Sequence, residues 1–275
     1  MRIFFKIYFI FLIFACGTVL SSSAYEPLVY TDISNKTQVT LQKNEIKESA
    51  VILTFGQSNA ANSGEGLYKV KNQVFNIFQG KYFIADDPLL DATGVKGSVW
   101  GRVSDRLIDN GLYDKIIIKS IAIGGSPLVS WTPLGVGIVH GNYFQRIVDA
   151  VYELRKLNIK ITHMLWHQGE QDMSFGTTTK QYKHMFLDML SGIRKLGVDA
   201  PVYVARASSC QGRHSLKVIK AQNDLIKEYS DILQGPNTDL INDSRYRIDG
   251  GCHFSELGLA LHANKWYESI VLNEN

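Results

Sequence analysis

Four short stretches hold most of the reactive chemistry in this chain. In Phe55-Gly56-Gln57-Ser58-Asn59-Ala60, one serine hydroxyl follows the apolar run Ala50 to Thr54, which reads as a buried strand. A serine hydroxyl is barely ionised at neutral pH and needs a base before it can attack a carbonyl. The base candidate is His253, in Asp249-Gly250-Gly251-Cys252-His253-Phe254. An acid four residues before a histidine, with glycines between, can turn back and hold the imidazole, as the third member of a Ser-His-Asp triad does. Acyl transfer also needs donors for the oxyanion. Backbone amides at Gly124 and Gly125 could supply one, because glycine lets a substrate approach closely. The side-chain amide of Gln168, in Trp166-His167-Gln168-Gly169-Glu170-Gln171-Asp172, could supply another.

Each stretch alone also reads as a polar turn or a strand-to-loop glycine. Strand ends are expected to bring Ser58, Gly124, Gln168 and His253 together at one edge of one parallel sheet, where open α/β sheets bind ligands, and that convergence favours chemistry. The other histidines lack such a setting. His163 falls within a predicted strand, His184 and His262 fall on predicted helices, and His140 and His214 lie in or beside loops.

The elements that must position these residues alternate. Strands are predicted at residues 50–54, 115–123, 161–166 and 201–205, with a weak fifth at 238–241. Val74 to Phe78 and Tyr82 to Ala85 flank Gln79-Gly80-Lys81 and read as a β-hairpin. Helical spacing runs from Ser98 to Asn110, Tyr143 to Leu157, Thr178 to Leu196, Ser215 to Tyr229 and Ser255 to Leu272, with Ser255 placed as an N-cap. Such alternation predicts a parallel sheet covered on both faces, in one domain over residues 50–275. Residues 25–49 read as a polar lead-in arm with an edge strand near Gln38 to Leu41.

The composition, 45% hydrophobic and 20% charged, is that of a globular protein rather than a disordered or fibrous one. Arg2 and Lys6 precede an apolar run to Leu20, and Ser22-Ser23-Ala24 offers a cleavage site, so residues 1–24 read as a secretory signal peptide. That predicts a secreted or periplasmic chain without a membrane span. Ile13-Phe14-Ala15-Cys16-Gly17 also loosely fits a lipoprotein cleavage site, which would put a lipid on Cys16. The 29 basic residues less Arg2 and Lys6 leave 27 against 26 acidic ones, a net charge of +1. With no basic stripe, nucleic acid is not an expected partner.

Taken together, the stretches resemble those of the SGNH hydrolases, in the sialate O-acetylesterase-like branch of carbohydrate esterases. Gly56-Gln57-Ser58-Asn59, Gly124-Gly125, Gln168 to Asp172 and Asp249 to Phe254 run in that family's order over about 200 residues, and Trp166-His167-Gln168-Gly169-Glu170 marks the branch. The resemblance implies a three-layer αβα sandwich with a flavodoxin-like, five-stranded parallel sheet. It also implies hydrolysis of acetyl esters on carbohydrates without metal or cofactor. Ser58 would be the nucleophile and His253 the base. The amides of Ser58, Gly124 and Gly125, with Gln168, would form the oxyanion hole.

Two departures stand out. The family's acid usually lies three residues before the histidine, where this chain has Gly250. Either Asp249 reaches His253 through a one-residue bulge, or the site runs as a Ser-His dyad, with Asp243 a weaker substitute. Ala60-Ala61-Asn62 also replaces the family's methionine and glycine after the nucleophile, which bears on pocket shape. An extracytoplasmic sugar O-acetyltransferase using the same serine, and a glycan-binding module with a decayed site, are the alternatives. Cys252 adjoins the base and Cys210 follows the fourth strand, so a disulfide between them would fasten the histidine loop to its neighbour.

Overall fold

The computed structural model describes residues 28–135 and 141–274. The predicted signal segment, Cys16 and His140 lie outside them. The chain runs β1 (Gln38–Val39), α1 (Lys43–Lys47), β2 (Ala50–Gly56), β3 (Val74–Phe78), β4 (Lys81–Ile84), α2 (Trp100–Asp109), β5 (Ile116–Ser120) and α3 (Phe144–Lys156). It continues with β6 (His163–His167), α4 (Glu170–Ser174), α5 (Thr179–Lys195), β7 (Val202–Arg206), α6 (Leu216–Glu228), β8 (Ile232–Asn237), β9 (Arg247–Ile248), β10 (His253–Phe254) and α7 (Glu256–Glu274).

One sheet, in the order β1-β4-β3-β5-β2-β6-β7-β8, carries the fold. The strands from β3 to β8 in that order are parallel, while β4 and β1 complete the edge antiparallel. All seven residues of β2 are buried, as expected for a central strand covered on both faces. Its side chains alternate between two cores. Leu53 and Phe55 join Met164 and Trp166 beneath α3, α5 and α6, whereas Ile52 joins Ile118 and Leu165 beneath α2 and α7. The architecture is therefore a three-layer αβα sandwich. Trp131 and Tyr143 are buried and pack on each other at 5.6 Å between ring centres. Among the described residues, no helix is long and apolar enough to cross a membrane.

The sheet differs from a five-stranded one in two ways. The hairpin β3–β4 is part of it, because β3 pairs in parallel with β5 and so brings β4 and β1 with it. The last parallel strand is Ile232–Asn237 rather than 238–241, where Thr238–Leu240 instead forms a 3-10 turn. Gly235-Pro236 reads as a strand breaker, yet β8 is an edge strand, where a missing proline N–H is tolerated. Its pairing with β7 shifts register between Val204 and Arg206. A β-carbon on Gly235 would stand 2.7 Å from the Val204 and Ala205 backbone, so glycine is required at this crossing.

Helix starts follow the sequence signals closely. The Thr178 hydroxyl accepts from the Gln181 amide in a capping box. Ser215 caps α6 through the Val218 amide, and the Ser255 hydroxyl accepts from the Gly258 amide at 3.1 Å. These caps fix where α6 and α7 begin, and hence where the loops on the functional edge end.

Candidate active site

Where β2 ends, Gly56 has φ +121° and lies so close to β6 that a β-carbon would stand 2.2 Å from the His167 carbonyl oxygen. Only glycine can make that passage. The Gln57 amide then donates to the same carbonyl, and the Ile123 amide donates to Gly56. Tied on both sides, the chain makes one 3-10 turn, Ser58–Ala60, that leaves Ser58 partly exposed above buried Gln57 and Asn59.

The histidine reaches this place by another route. His253 does not lie at a strand end of the main sheet but on β10, which pairs only with β9 in a small hairpin. Between the two strands, Asp249, Gly250 and Gly251 all have positive φ, at +51°, +70° and +91°. This left-handed run folds the chain back, so that Asp249 Oδ2 lies 2.8 Å from His253 Nδ1 despite the extra residue. The hydrogen bond with His253 holds the Asp249 carboxyl below the usual carboxylate range. Asp243 turns away and pairs with Arg245 at 3.0 Å. With Nδ1 committed to Asp249, the other ring nitrogen is the one left for chemistry.

Ser58 and His253 line one cavity of about 390 Å³, together with Gln57, Asn59, Gly124, Gly125, Gln171 and Ser174. Cys210 and Cys252 form a disulfide in its wall, joining the loop after β7 to the residue before His253. Asn59 adds a second tie. Its side-chain amide donates to Glu170 Oε1 at 2.6 Å and to the Cys252 carbonyl at 2.9 Å, so the serine turn and the histidine loop share one bridging residue. Burial pushes the Glu170 carboxyl up, but His167, whose Nε2 stands 3.6 Å from Oε1, together with the Asn59 amide more than offsets it and holds the carboxyl low.

Two of the four expected oxyanion donors are engaged elsewhere. The Gly124 amide donates to Thr93 Oγ1 at 2.7 Å. Gln168 is fully buried beneath the cavity, where its amide nitrogen donates to Asp172 Oδ2 at 2.5 Å and to the Ser126 carbonyl at 3.2 Å. The Tyr182 hydroxyl donates to its oxygen at 3.1 Å. Asp172, one helical turn on, and Tyr182 thus draw Gln168 into the interior. Gly125, also at the cavity, keeps its amide unbonded among the described residues.

Gln57, like Asn59 and Gln171, brings a side-chain amide to the cavity wall. Its oxygen accepts from the Gln171 amide at 3.0 Å and the Gly169 amide at 3.4 Å, which leaves its nitrogen without a partner among the described residues. Sequence reasoning missed Gln57, Asn59, Thr93 and Glu170. The available signal was the run of polar residues after β2, since polar side chains buried at a strand end must find partners. Thr93 carried none. Among the described residues, no group of three or more histidine, cysteine, aspartate or glutamate residues is arranged to hold a metal ion.

Comparison with known proteins gives this geometry its family. A comparison with curated proteins found no match. The family model described as carbohydrate esterase, sialic acid-specific acetylesterase, matches residues 48–256. Among solved structures, a protein from Arabidopsis thaliana is similar at TM-score 0.64 and 18% identity, over 82% of this chain and 99% of that one. NanS is similar at TM-score 0.54 and 15% identity, over 82% and 97%. A carbohydrate acetylesterase from Xanthomonas citri is similar at TM-score 0.54 and 14% identity, over 80% of this chain and 55% of that one. At these identities the structural likenesses carry the fold, and the family match carries the class of activity. The chain belongs to the sialic acid-specific acetylesterase family of carbohydrate esterases and is a carboxylic ester hydrolase.

Proposed function

We propose that the protein removes O-acetyl groups from a carbohydrate through an acetyl-serine intermediate on Ser58. The observation that carries this reading is the Asp249–His253 hydrogen bond of 2.8 Å beside a cavity that His253 shares with Ser58. In the first step His253 takes the Ser58 proton, and the serine oxygen attacks the acetyl carbonyl. The tetrahedral oxyanion is met by the amides of Ser58 and Gly125 and by the side-chain nitrogen of Gln57. His253 returns its proton to the departing sugar oxygen. In the second step it takes a proton from water, the resulting attack releases acetate, and Ser58 regains its proton. Asp249 keeps the ring oriented and stabilises the imidazolium in both steps.

The reading places the protein outside the cytoplasm. It is supported by the leader-like start of the sequence and by the Cys210–Cys252 disulfide, a bond that persists in oxidising compartments. The test is hydrolysis of p-nitrophenyl acetate and of a panel of sugar acetates by the chain from Tyr25 onward. Release of acetate from at least one sugar, abolished in Ser58→Ala, is the expected result. Hydrolysis that survives Ser58→Ala, or no hydrolysis by a folded parent, would overturn it.

A further inference from the structure

A second and larger groove, of about 800 Å³, adjoins the Ser58 cavity. The two share Cys210 in their walls, and Gly250 and Gly251 in the groove lead directly into Cys252 and His253 of the cavity. Nothing in the acetyl chemistry uses this groove, since an acetyl group is far smaller than the cavity already holding Ser58.

The groove's charge is unbalanced. The Arg213 side chain is exposed there and makes no hydrogen bond or ion pair among the described residues. Arg247, also in the wall, donates to the carbonyls of Ile241 at 2.6 Å, Thr238 at 2.5 Å and Cys252 at 3.4 Å, and to no carboxylate. Asp239, the acid of the lining, has its oxygens taken by the Ser208 and Ser209 amides and the Ser208 hydroxyl, at 2.6 to 2.8 Å. The wall also contains the start of α6 at Leu216, where the positive end of the helix dipole adds to the two guanidinium groups. Asn237 and Asn242, also in the wall, carry amide groups of the kind that meet sugar hydroxyls.

We infer that this groove binds a carboxylate-bearing stretch of a glycan chain, an acidic polysaccharide or oligosaccharide, while the acetyl ester on a neighbouring sugar sits at Ser58. Arg213 is the side chain that meets the carboxylate. This inference rests on the esterase reading of the Ser58 cavity. It deepens that reading by making the substrate a polymer with acidic residues rather than an isolated acetylated sugar.

The test is calorimetric titration of Ser58→Ala, as the chain from Tyr25 onward, with a short galacturonate oligomer and with its carboxyl-reduced counterpart. The acidic oligomer should bind, more weakly as salt is raised, and the reduced one should bind far less. Adding Arg213→Ala should weaken binding of the acidic oligomer about fivefold, the effect of one partly exposed ion pair, and Arg213→Lys should restore part of it. An unchanged thermal unfolding midpoint in these variants separates lost binding from lost folding. Equal binding of the two oligomers, or no binding of either, would overturn the inference. Failure of the parent to hydrolyse p-nitrophenyl acetate would overturn the esterase reading instead, and it is measured independently of the titration.

Discussion

Replacing Asp249 by asparagine isolates what an acid at the surface contributes to a base beside the nucleophile. The Asp249 side chain is 49% exposed, against 23% for His253. A pair of unit charges about 4 Å apart is worth about 1 kcal/mol in water and about 4 kcal/mol at the effective dielectric of a protein surface. Half exposure places the imidazolium stabilisation near 2 kcal/mol, or about a 30-fold loss of kcat in Asp249→Asn. A buried triad acid costs about 10⁴-fold when replaced in the same way. Asp249 does not line the cavity, so KM for p-nitrophenyl acetate should hardly move. The assay is steady-state hydrolysis of that ester at neutral pH, with thermal unfolding to confirm the fold. A loss below twofold would remove Asp249 from the mechanism and leave a dyad. A loss as complete as that of Ser58→Ala would refute the exposure argument.

Further substitutions separate the roles of the remaining residues. Gln57→Ala should lower kcat about 100- to 1000-fold with KM nearly unchanged, whereas Gln168→Ala should chiefly lower the unfolding temperature, because it strips partners from buried Asp172 and Tyr182. A rate loss confined to Gln168→Ala would reverse that assignment. Gly56→Ala should prevent accumulation of folded protein, since its β-carbon would meet the His167 carbonyl at 2.2 Å, and a normally folded variant by circular dichroism would contradict this. Replacing Cys210 and Cys252 together by serine should cost about 4 kcal/mol of stability in the loop-entropy account of a bridge spanning 42 residues, read from denaturant unfolding. His262 is fully buried and accepts from the Trp266 indole at 3.0 Å, and burial pushes its pKa well below 6.5. The unfolded chain therefore takes up this proton first, so stability should fall as pH drops below about 6.5, and His262→Phe should flatten that part of the Tm–pH curve.

Much of this arrangement was legible in the sequence because local rules set it. Continuous apolar runs gave the central strands, and Thr178, Ser215 and Ser255 announced the helices they cap. The one-residue offset of the acid was open in the sequence because it turns on backbone conformation. Asp249 itself adopts φ +51°, which asparagine and aspartate tolerate better than most residues. What stayed hidden depends on neighbours remote in the chain. Gln168 reads as an oxyanion donor until Tyr182, on a later helix, and Asp172 claim its side chain. Gly124 keeps its glycine freedom but gives its amide to Thr93, 31 residues earlier. The strand β8 is disguised by Gly235-Pro236, whose meaning changes once that strand is known to be an edge. His253 likewise arrives on a separate hairpin, a detail that alternation of strands and helices does not contain.

The claim on which the mechanism turns is that Ser58 carries the acetyl group between the two steps. Rapid quenching of the reaction with p-nitrophenyl acetate, followed by peptide mass spectrometry, tests it directly. The account predicts an acetyl adduct on the peptide containing Ser58, with a burst of p-nitrophenol approaching one equivalent per chain if deacylation is the slow step. Both should vanish in Ser58→Ala and fall sharply in His253→Ala. Turnover with the adduct on another residue, or a rate undiminished in Ser58→Ala, would contradict it.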